Sequence, residues 1–427
     1  MLLRKYICQR LLEYYSQPAH RVVGSINNES SVNFSSILGQ WHWKRIYQQI
    51  YNEQKGMWLT PVELFTPFYS YIFANFISSS MRPMIEQHKH NADGFQIVEL
   101  GGGRGTNAKA LLNYLQSHHS DMYDKLIEYT IFDTSPTLHE LQRQHLKMSD
   151  SPHYDKITLI NGDLIDIAEG TSTFLKASEI PTTLIALELL DNLPHDKVVR
   201  CLETDEVLQA EVIPMSGSQY SPSDEPSEKC SIDTSQSYNE TFSPVNDPLL
   251  QSILSLSPLL YTPPTSNGPR WIPSVALGVL MRLFQCRPNS AVAFADFDWL
   301  PPPDISLSSE EPHNLMMAAE PAFGDPIVTD MEGNDHPCYL TRPPDALCDI
   351  LFPTDFSRMA KYAESILQSG NNVGTRALPA SVTAMKQRDF LLKYGPDEVN
   401  KTKGWTGFSP LINDFGNCSV LVVAPHI

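Results

Sequence analysis

The feature that most constrains this chain is a short apolar run that leads directly into a cluster of glycines. The run is Phe95–Leu100, and four of the next five residues are glycine, in the segment ELGGGRGT. A helical pattern follows, with one apolar face formed by Ala108, Leu111, Leu112 and Leu115. Without Cβ atoms, a backbone can turn sharply after a strand and present its N–H groups to a ligand at a helix N-terminus. The pattern therefore predicts a buried strand, a ligand-binding loop and a helix.

Two later apolar runs end in acidic residues. The run Tyr129–Phe132 ends at Asp133, about one strand-helix-strand unit beyond the glycines, where a carboxylate can bind both hydroxyls of a ribose. The next run ends near Asp163, from which a side chain can contact an adenine amino group. Each acid could instead be a solvated turn residue. The predicted cofactor-binding residues are Glu99, Gly101, Gly103, Gly105, Asp133 and Asp163.

These features leave the class of cofactor open. No Lys-Ser or Lys-Thr pair follows the glycines, which disfavours a phosphate-binding P-loop. A tight strand-helix turn with no ligand is the plainest alternative. A nicotinamide or flavin enzyme would suit the glycines and the acids as well as a methyltransferase would, so the rest of the chain has to decide.

Short apolar runs alternate with helical stretches from residue 95 onward, as in an α/β sheet of buried parallel strands with a ligand crevice at their carboxyl ends. The runs are Phe95–Leu100, Tyr129–Phe132, Ile157–Ile160, Thr183–Leu187 and Ala291–Phe297. A last run, 418–424, fits the strand that methyltransferases insert antiparallel beside the fifth. The expected fold is a class I methyltransferase Rossmann-like sheet with a helical N-terminal region and insertions after the fourth and fifth strands.

The chain divides by composition into four stretches. Residues 1–90 are predicted to be a helical region that covers the site, and residues 91–215 to be the cofactor-binding core. Residues 216–250 form a low-complexity insertion, in which Ser, Pro and acidic residues predict a disordered or mobile segment up to Asp247. Residues 251–427 complete the catalytic domain with substrate-side insertions and the terminal strands. In the first stretch, aromatic and aliphatic residues at helical spacing, from Trp41 to Ile77, predict core packing.

The composition of the chain limits which classes of partner, metal and compartment are expected. The chain has 31 Lys and Arg against 49 Asp and Glu, a net charge of −18, which disfavours nucleic acid and suits a basic protein or peptide. Seven separated cysteines predict a reducing compartment, and no histidines or cysteines have metal-ligand spacing, so no metal is expected. No apolar window is long enough for a membrane span. The basic start up to Arg10 suits a mitochondrial presequence and an ordinary first helix equally.

Several motifs spread along the chain resemble those of the MidA-type methyltransferase family, which includes mitochondrial protein arginine methyltransferases needed for assembly of respiratory complex I. The matching segments are 58–63 followed by Phe68, the ELGGGRGT loop, Asp133 with 135–138 and Gln142, 187–194, Asp355-Phe356, 387–391, and Phe415-Gly416. The resemblance implies S-adenosyl-L-methionine as cofactor, a protein substrate such as a complex I subunit, and a mitochondrial location.

The chain also departs from the family pattern. The family usually has Pro in place of Gly102, Asn in place of Leu187, aromatic residues in place of Leu189 and Leu190, and a Pro-Glu pair in place of Val62-Glu63. The member is therefore divergent. A catalytically silent assembly or scaffold protein of the same fold is one alternative, and a nicotinamide-dependent oxidoreductase is another.

Methyl transfer from a sulfonium requires alignment of nucleophile, methyl carbon and sulfur, with water excluded. If the nucleophile is an arginine guanidinium, carboxylates must hold it so that one nitrogen can attack. Glu188 and Asp191 follow the fourth strand, where the crevice should open, and Glu63 comes from the N-terminal region that the resemblance places over the cofactor. These three residues are the predicted catalytic group. Alternatively, Glu188 and Asp191 only cap the N-terminus of a helix.

Overall fold

The computed structural model describes residues 1–17, 32–54, 60–87, 94–146, 151–214, 238–263, 268–300, 324–336, 338–340, 347–371 and 380–425. The chain divides into two compact units. The sheet unit comprises Tyr15–Leu190, Leu277–Trp299 and Thr354–Ile427, and the insert unit comprises Met1–Tyr14, Asp191–Ala276 and Leu300–Pro353.

The secondary structure alternates between helices and strands. The helices are α1 (Leu3–Tyr15), α2 (Gln40–Gln54), α3 (Pro61–Leu64), α4 (Phe68–Gln87), α5 (Thr106–His118), α6 (Ser120–Lys125), α7 (Pro136–Leu146), α8 (Leu164–Glu169), α9 (Pro248–Leu256), α10 (Pro258–Tyr261), α11 (Ser274–Cys286), α12 (Phe356–Asn371), α13 (Gln387–Tyr394), α14 (Pro396–Lys401) and α15 (Pro410–Asn413). The strands are β1 (Phe95–Leu100), β2 (Leu126–Asp133), β3 (Ile157–Asn161), β4 (Thr182–Leu187), β5 (Asp196–Arg200), β6 (Val207–Pro214), β7 (Tyr238–Pro244), β8 (Arg270–Ile272), β9 (Ser290–Phe297), β10 (Ile327–Asp330), β11 (Asp335–His336), β12 (Cys348–Leu351), β13 (Ala380–Lys386) and β14 (Cys418–Pro425). Short 3-10 turns lie at Phe34–Ser36, Tyr154–Lys156 and Leu190–Asn192.

The sheet unit is built on a seven-stranded sheet of order β13-β14-β9-β4-β1-β2-β3. Strands β1, β2, β3, β4 and β9 pair in parallel, and β14 is antiparallel to both β9 and β13. All strands except β14 therefore point the same way. Each apolar run predicted from the sequence forms one of these strands. The expected class I methyltransferase sheet, with the terminal strand inserted antiparallel beside the fifth parallel strand, is confirmed.

The sheet is buried because its central strands are apolar on both faces, as parallel strands covered by helices must be. Helix α4 contributes Ile72, Phe73, Phe76 and Ile77, all fully buried in the main core cluster. The expectation that Trp41 belongs to this stripe is wrong, because its side chain is 59% exposed on α2. Trp43, two residues later, is fully buried instead, so the buried apolar face of α2 contains Trp43 and not Trp41.

The insert unit contains an antiparallel sheet of order β7-β6-β5-β8 and a smaller one of order β11-β10-β12. The expectation of disorder up to Asp247 is wrong for 238–244, which form β7 and pair with β6 along its whole length. Composition misleads here because an edge strand is held by its backbone hydrogen bonds and tolerates polar side chains. Residues 216–237 lie outside the described residues.

Helix α1 also belongs to the insert unit, apart from its last residue, whereas residues 32–87 belong to the sheet unit. Arg4 of α1 is fully buried. Its guanidinium donates a hydrogen bond from Nη1 to Asp196 at 2.8 Å and another from Nη2 to Asp247 at 2.7 Å. Ser274 donates a further bond to Asp196 at 2.6 Å.

Within the described ranges, no helix combines the length and the apolar character needed to cross a membrane.

Candidate functional site

The glycine loop follows β1 at the carboxyl edge of the sheet. Gly101, Gly103 and Gly105 have φ angles of 66°, 52° and 84°, a region that side chains disfavour. A Cβ at Gly101 would lie 2.7 Å from Leu189, whereas a Cβ at Gly103 would meet nothing within 4 Å. The backbone at Gly103 therefore faces open space, as a ligand-binding loop requires.

Glu99 lies beneath this loop and is held on both sides. One carboxylate oxygen accepts a hydrogen bond from Asn107 at 2.8 Å, and the other accepts one from the Tyr129 hydroxyl at 2.7 Å. Burial, with a smaller contribution from the charge of Asp133, outweighs these bonds and raises the pKa of Glu99 to about 7. Glu99 thus fixes the start of α5 against β2, and its predicted contact with the cofactor stays a prediction.

Asp133 ends β2 and is linked to the loop through Gln142. Its carboxylate accepts bonds from the Ser135 N–H and from Gln142 Nε2, each at 3.0 Å, and the same Nε2 donates to the Gly103 carbonyl at 2.9 Å. Burial, against these bonds, raises the pKa of Asp133 to about 6. The alternative of a solvated turn residue is wrong, since Asp133 is only 6% exposed.

Asp163 follows β3 at the same edge. Its carboxylate accepts a hydrogen bond from the Ile165 N–H at 2.8 Å and caps α8, and the residue is half-buried. The cap uses one oxygen in the direction of the helix. The predicted contact with an adenine amino group stays a prediction.

Glu188 stands directly after β4 and differs from the acids above. It is a non-glycine residue with φ of 53°, fixed by a hydrogen bond from its N–H to the Ala295 carbonyl at 2.8 Å. Both of its carboxylate oxygens are buried and have no hydrogen-bond partner among the described residues. Such a strained backbone with an unpaired buried carboxyl group is typical of a functional site.

The charges around Glu188 are mostly negative. Burial raises its pKa well above the ordinary value, and the charges of Asp296 and Glu63 raise it further. The nearby Thr60 hydroxyl, which does not reach hydrogen-bond geometry, has a smaller opposite effect. A carboxylate in this setting favours either a proton or a cationic ligand.

Glu63 lies in α3, whose first turn is capped by Thr60, and it is 6% exposed. Burial raises the pKa of Glu63, while a bond from the Thr106 side chain and the charge of Arg104 lower it. The structure therefore brings Glu63 close to both the glycine loop and Glu188.

Asp191, the third predicted catalytic residue, belongs to the insert unit. It is buried, and its carbonyl accepts a hydrogen bond from the Phe352 N–H at 2.8 Å. Its predicted role beside Glu188 stays a prediction.

Three residues of the site were not predicted to be functional. Asp296, near the end of β9, accepts bonds from the N–H groups of Leu190 at 2.6 Å and Phe297 at 2.7 Å. Tyr69 of α4 donates to Gln387 at 2.9 Å. Functional side chains tend to lie at the carboxyl ends of the strands in such a sheet. Asp296 lies near the end of β9, and Gln387 comes directly after β13, which points the same way, so this rule could have identified both. Tyr69 has no such signal in the sequence.

The edge of the sheet therefore has two halves. The half formed by β1, β2 and β3 offers an open glycine backbone and acids held by hydrogen bonds, which fits a nucleoside cofactor. The half formed by β4 and β9 offers a buried, unpaired carboxylate. No group of three or more His, Cys, Asp or Glu side chains in the described segments could hold a metal ion.

A family model matches residues 76–371, more than half of the chain, and its description is "Putative S-adenosyl-L-methionine-dependent methyltransferase". No curated protein matches the chain in sequence.

Solved structures resemble this fold at low identity. One is described as a superfamily member and "likely methyl transferase" from Burkholderia thailandensis bound to S-adenosyl-homocysteine; it is 14% identical, the match covers 99% of this chain and 87% of that one, and the TM-score is 0.55. A second protein of that superfamily and organism is 15% identical, with 83% and 79% covered and a TM-score of 0.47. The glycopeptide N-methyltransferase MtfA complexed with S-adenosyl-L-methionine is 10% identical, with 82% and 88% covered and a TM-score of 0.30.

Proposed function

The chain belongs to this family of S-adenosyl-L-methionine-dependent methyltransferases, and from that premise we propose that it methylates an arginine of a protein substrate. The family match decides against the nicotinamide-dependent oxidoreductase that the glycines alone left open. Within the family, the MidA-type motifs support the finer assignment to the protein arginine methyltransferases.

The cofactor half of the site suits S-adenosyl-L-methionine, which supplies an electrophilic methyl carbon on a sulfonium. The backbone at Gly103 leaves open space for close approach, and Gln142 holds this backbone to Asp133. Asp133 keeps further acceptor capacity for ribose hydroxyls, because each carboxylate oxygen has two lone pairs. In our proposal, Gly101, Gly103, Gly105, Glu99, Asp133 and Asp163 hold the cofactor.

The observation that carries the arginine proposal is the unpaired, buried carboxylate of Glu188. A guanidinium has five N–H donors in a planar fork that matches a carboxylate. Its positive charge would also offset the negative charges of Asp296 and Glu63 that act on Glu188. Glu188 would then orient the guanidinium and accept the proton released when a nitrogen takes the methyl group, with Glu63 as a supporting carboxylate. The catalytic role predicted for Asp191 from the sequence stays a prediction.

The proposal extends to partner and location. The net charge of −18 supports a basic protein substrate. The resemblance to MidA-type enzymes, together with the basic first residues, supports a mitochondrial location and a complex I subunit as the substrate.

The cofactor assignment can be tested with Gly103→Val. Because an added Cβ meets nothing within 4 Å, the valine side chain would occupy the space where the cofactor approaches, and φ of 52° is unfavourable for a β-branched residue. We expect calorimetry to detect no binding of S-adenosyl-L-methionine to the folded variant. Wild-type affinity would contradict the loop assignment.

The substrate assignment can be tested with a tritiated methyl donor and mitochondrial extract. We expect the wild type to label few proteins, with methylarginine found by mass spectrometry, and Glu188→Gln to abolish the label. Glu140→Gln, on the exposed face of α7, is the matched control. Label on another residue type would overturn the arginine proposal, and cofactor binding without any label would favour the silent scaffold protein.

A further inference from the structure

A second unpaired group lies at the same edge of the sheet as Glu188, beyond β9 and β14, at the side chain of Gln387. This residue is 2% exposed, and its Oε1 accepts a hydrogen bond from the Tyr69 hydroxyl at 2.9 Å. Its Nε2 is buried and has no hydrogen-bond partner among the described residues. An amide nitrogen carries two N–H donors, and leaving both unmade in a buried position is costly.

The sheet register places Gln387 on the same edge as Glu188. Leu187, Ala295, Val420 and Met385 form one row across β4, β9, β14 and β13. Glu188 follows this row by one residue on β4, and Gln387 follows it by two on β13. Three strand spacings, about 14 Å, separate the two backbones. Since both groups are unpaired, Gln387 Nε2 does not bond to Glu188.

Tyr69 holds one of these two groups, the Gln387 amide. Its ring is fully buried, and its hydroxyl bonds directly to Gln387. Burial raises the pKa of Tyr69 well above 10, and the charge of Glu188, ahead of those of Cys418 and Asp296, adds to this. The hydroxyl therefore keeps its proton and donates it to Oε1, which leaves the NH2 group of Gln387 as the free end of the amide.

A free NH2 group needs an acceptor, and a guanidinium has none. The acceptor that a protein substrate always brings near its arginine is a main-chain carbonyl. We propose that Gln387 contacts the substrate by donating a hydrogen bond to a main-chain carbonyl beside the target arginine, and that Tyr69 is a positioning residue that holds the Gln387 amide. This inference rests on the arginine substrate proposed above. It means that the site selects arginine within a polypeptide over a small guanidine.

The test compares two ligands of the full chain saturated with S-adenosyl-homocysteine, by calorimetry. N-acetyl-L-arginine N-methylamide carries the guanidinium and two carbonyls, and propylguanidine carries the guanidinium alone. We expect the Kd of propylguanidine to be at least about tenfold higher than that of N-acetyl-L-arginine N-methylamide in the wild type, since one good hydrogen bond accounts for a Kd ratio of about this size. Gln387→Met should reduce this ratio to within about twofold without changing the propylguanidine Kd.

Tyr69→Phe should reduce the ratio several-fold, again with unchanged propylguanidine affinity, which a merely structural role would not produce. Gln144→Met, at an exposed position of α7, should keep the wild-type ratio. If Gln387→Met fails to fold, Tyr69→Phe decides, because it removes one oxygen only. Equal binding of the two ligands to wild type, or a ratio that survives both substitutions, overturns this inference alone. Binding of neither ligand overturns the arginine substrate itself.

Discussion

The two units of the molecule both bury carboxylates, and they treat them differently. In the insert unit, the Arg4 guanidinium lies between Asp196 and Asp247, with bonds of 2.7 to 2.8 Å to both. Burial raises the pKa of both acids. The bonds and charge of Arg4 outweigh burial at Asp247, whose pKa is lowered, whereas at the more deeply buried Asp196 they oppose burial without outweighing it and the pKa stays raised. In the sheet unit, the Glu188 carboxylate is buried without a partner, and its strongest charged influences, Asp296 and Glu63, are negative.

The Arg4 site shows how this chain binds a guanidinium between buried carboxylates. Burying carboxylates is unfavourable unless a cation and hydrogen bonds compensate them. The insert unit supplies its cation from its own sequence, so its acids are structural. The described sheet unit leaves Glu188 uncompensated, which is consistent with a guanidinium that arrives with the substrate.

The largest expected effect comes from removing the internal cation. Arg4→Met leaves two buried carboxylates unpaired, and we expect the free energy of unfolding to fall by about 3 to 5 kcal/mol. Urea unfolding at pH 7.5 measures this loss. Adding Asp196→Asn and Asp247→Asn should recover part of it, because the uncompensated charges are then gone. A loss below about 1 kcal/mol would show that Arg4 does not determine the stability of the insert unit.

The same kind of change at Glu188 should act on catalysis and not on stability. Glu188→Gln and Asp191→Asn should each slow methyl transfer by at least about a hundredfold, about 2.7 kcal/mol, with cofactor affinity within a few-fold. Single-turnover rates at saturating cofactor measure this. For Glu188→Gln, the free energy of unfolding should stay equal or rise, because burial raises the pKa of this carboxyl and disfavours its ionised form, a cost that the neutral amide does not have.

Near-wild-type rates would remove these two residues from the catalytic group. The alternative in which the pair only caps a helix is wrong for Glu188 in any case, because both of its carboxylate oxygens lack a hydrogen-bond partner among the described residues and only the short 3-10 turn Leu190–Asn192 follows. Glu140→Gln provides the exposed control.

The sequence was sufficient to predict six of the seven strands of the main sheet, because each of those six is an apolar run with local turn signals. The edge strand β13 was not predicted, since Ala380–Lys386 is not an apolar run. The glycine loop was likewise predictable, since its conformation depends on consecutive residues. The position of β7 was not, because Tyr238–Pro244 is stabilised by backbone pairing with a strand that precedes a long low-complexity segment. Local composition contains no information about that partner.

The site was predictable only in part, for the same reason. Acids that follow strands, such as Glu188 and Asp133, can be located from the order of the runs. Whether a buried acid is compensated can depend on residues distant in sequence, as with Arg4 and Asp196, which are 192 positions apart. Tyr69 and Gln387 are 318 positions apart, so no sequence spacing connects them.

The smallest expected effect concerns Asp133. This acid is intermediate between the acids paired with Arg4 and the unpaired Glu188, because it is buried and hydrogen-bonded but has no cation among its hydrogen-bond partners. Burial raises its pKa to about 6, so the free protein protonates it below that pH. A protonated acid loses acceptor capacity for ribose hydroxyls. Cofactor affinity should therefore fall as pH drops below 6, by up to about tenfold, or 1.4 kcal/mol, per pH unit.

Titration of Asp133 should change the free energy of unfolding of the ligand-free protein in the opposite direction from the cofactor affinity. Its folded pKa lies above the ordinary 3.8, so its contribution is fully present below that value and is lost as pH rises through about 6. Calorimetry with S-adenosyl-L-methionine between pH 5 and pH 8, with urea unfolding over the same range, measures both trends. Asp133→Asn should bind more weakly and lose the part of the pH dependence centred near pH 6, while the part that Glu99 contributes near pH 7 remains in each measurement. Should the wild-type affinity stay constant from pH 5 to pH 8, Asp133 does not act as a carboxylate acceptor for the cofactor, and its bonds to Ser135 and Gln142 would be its whole role.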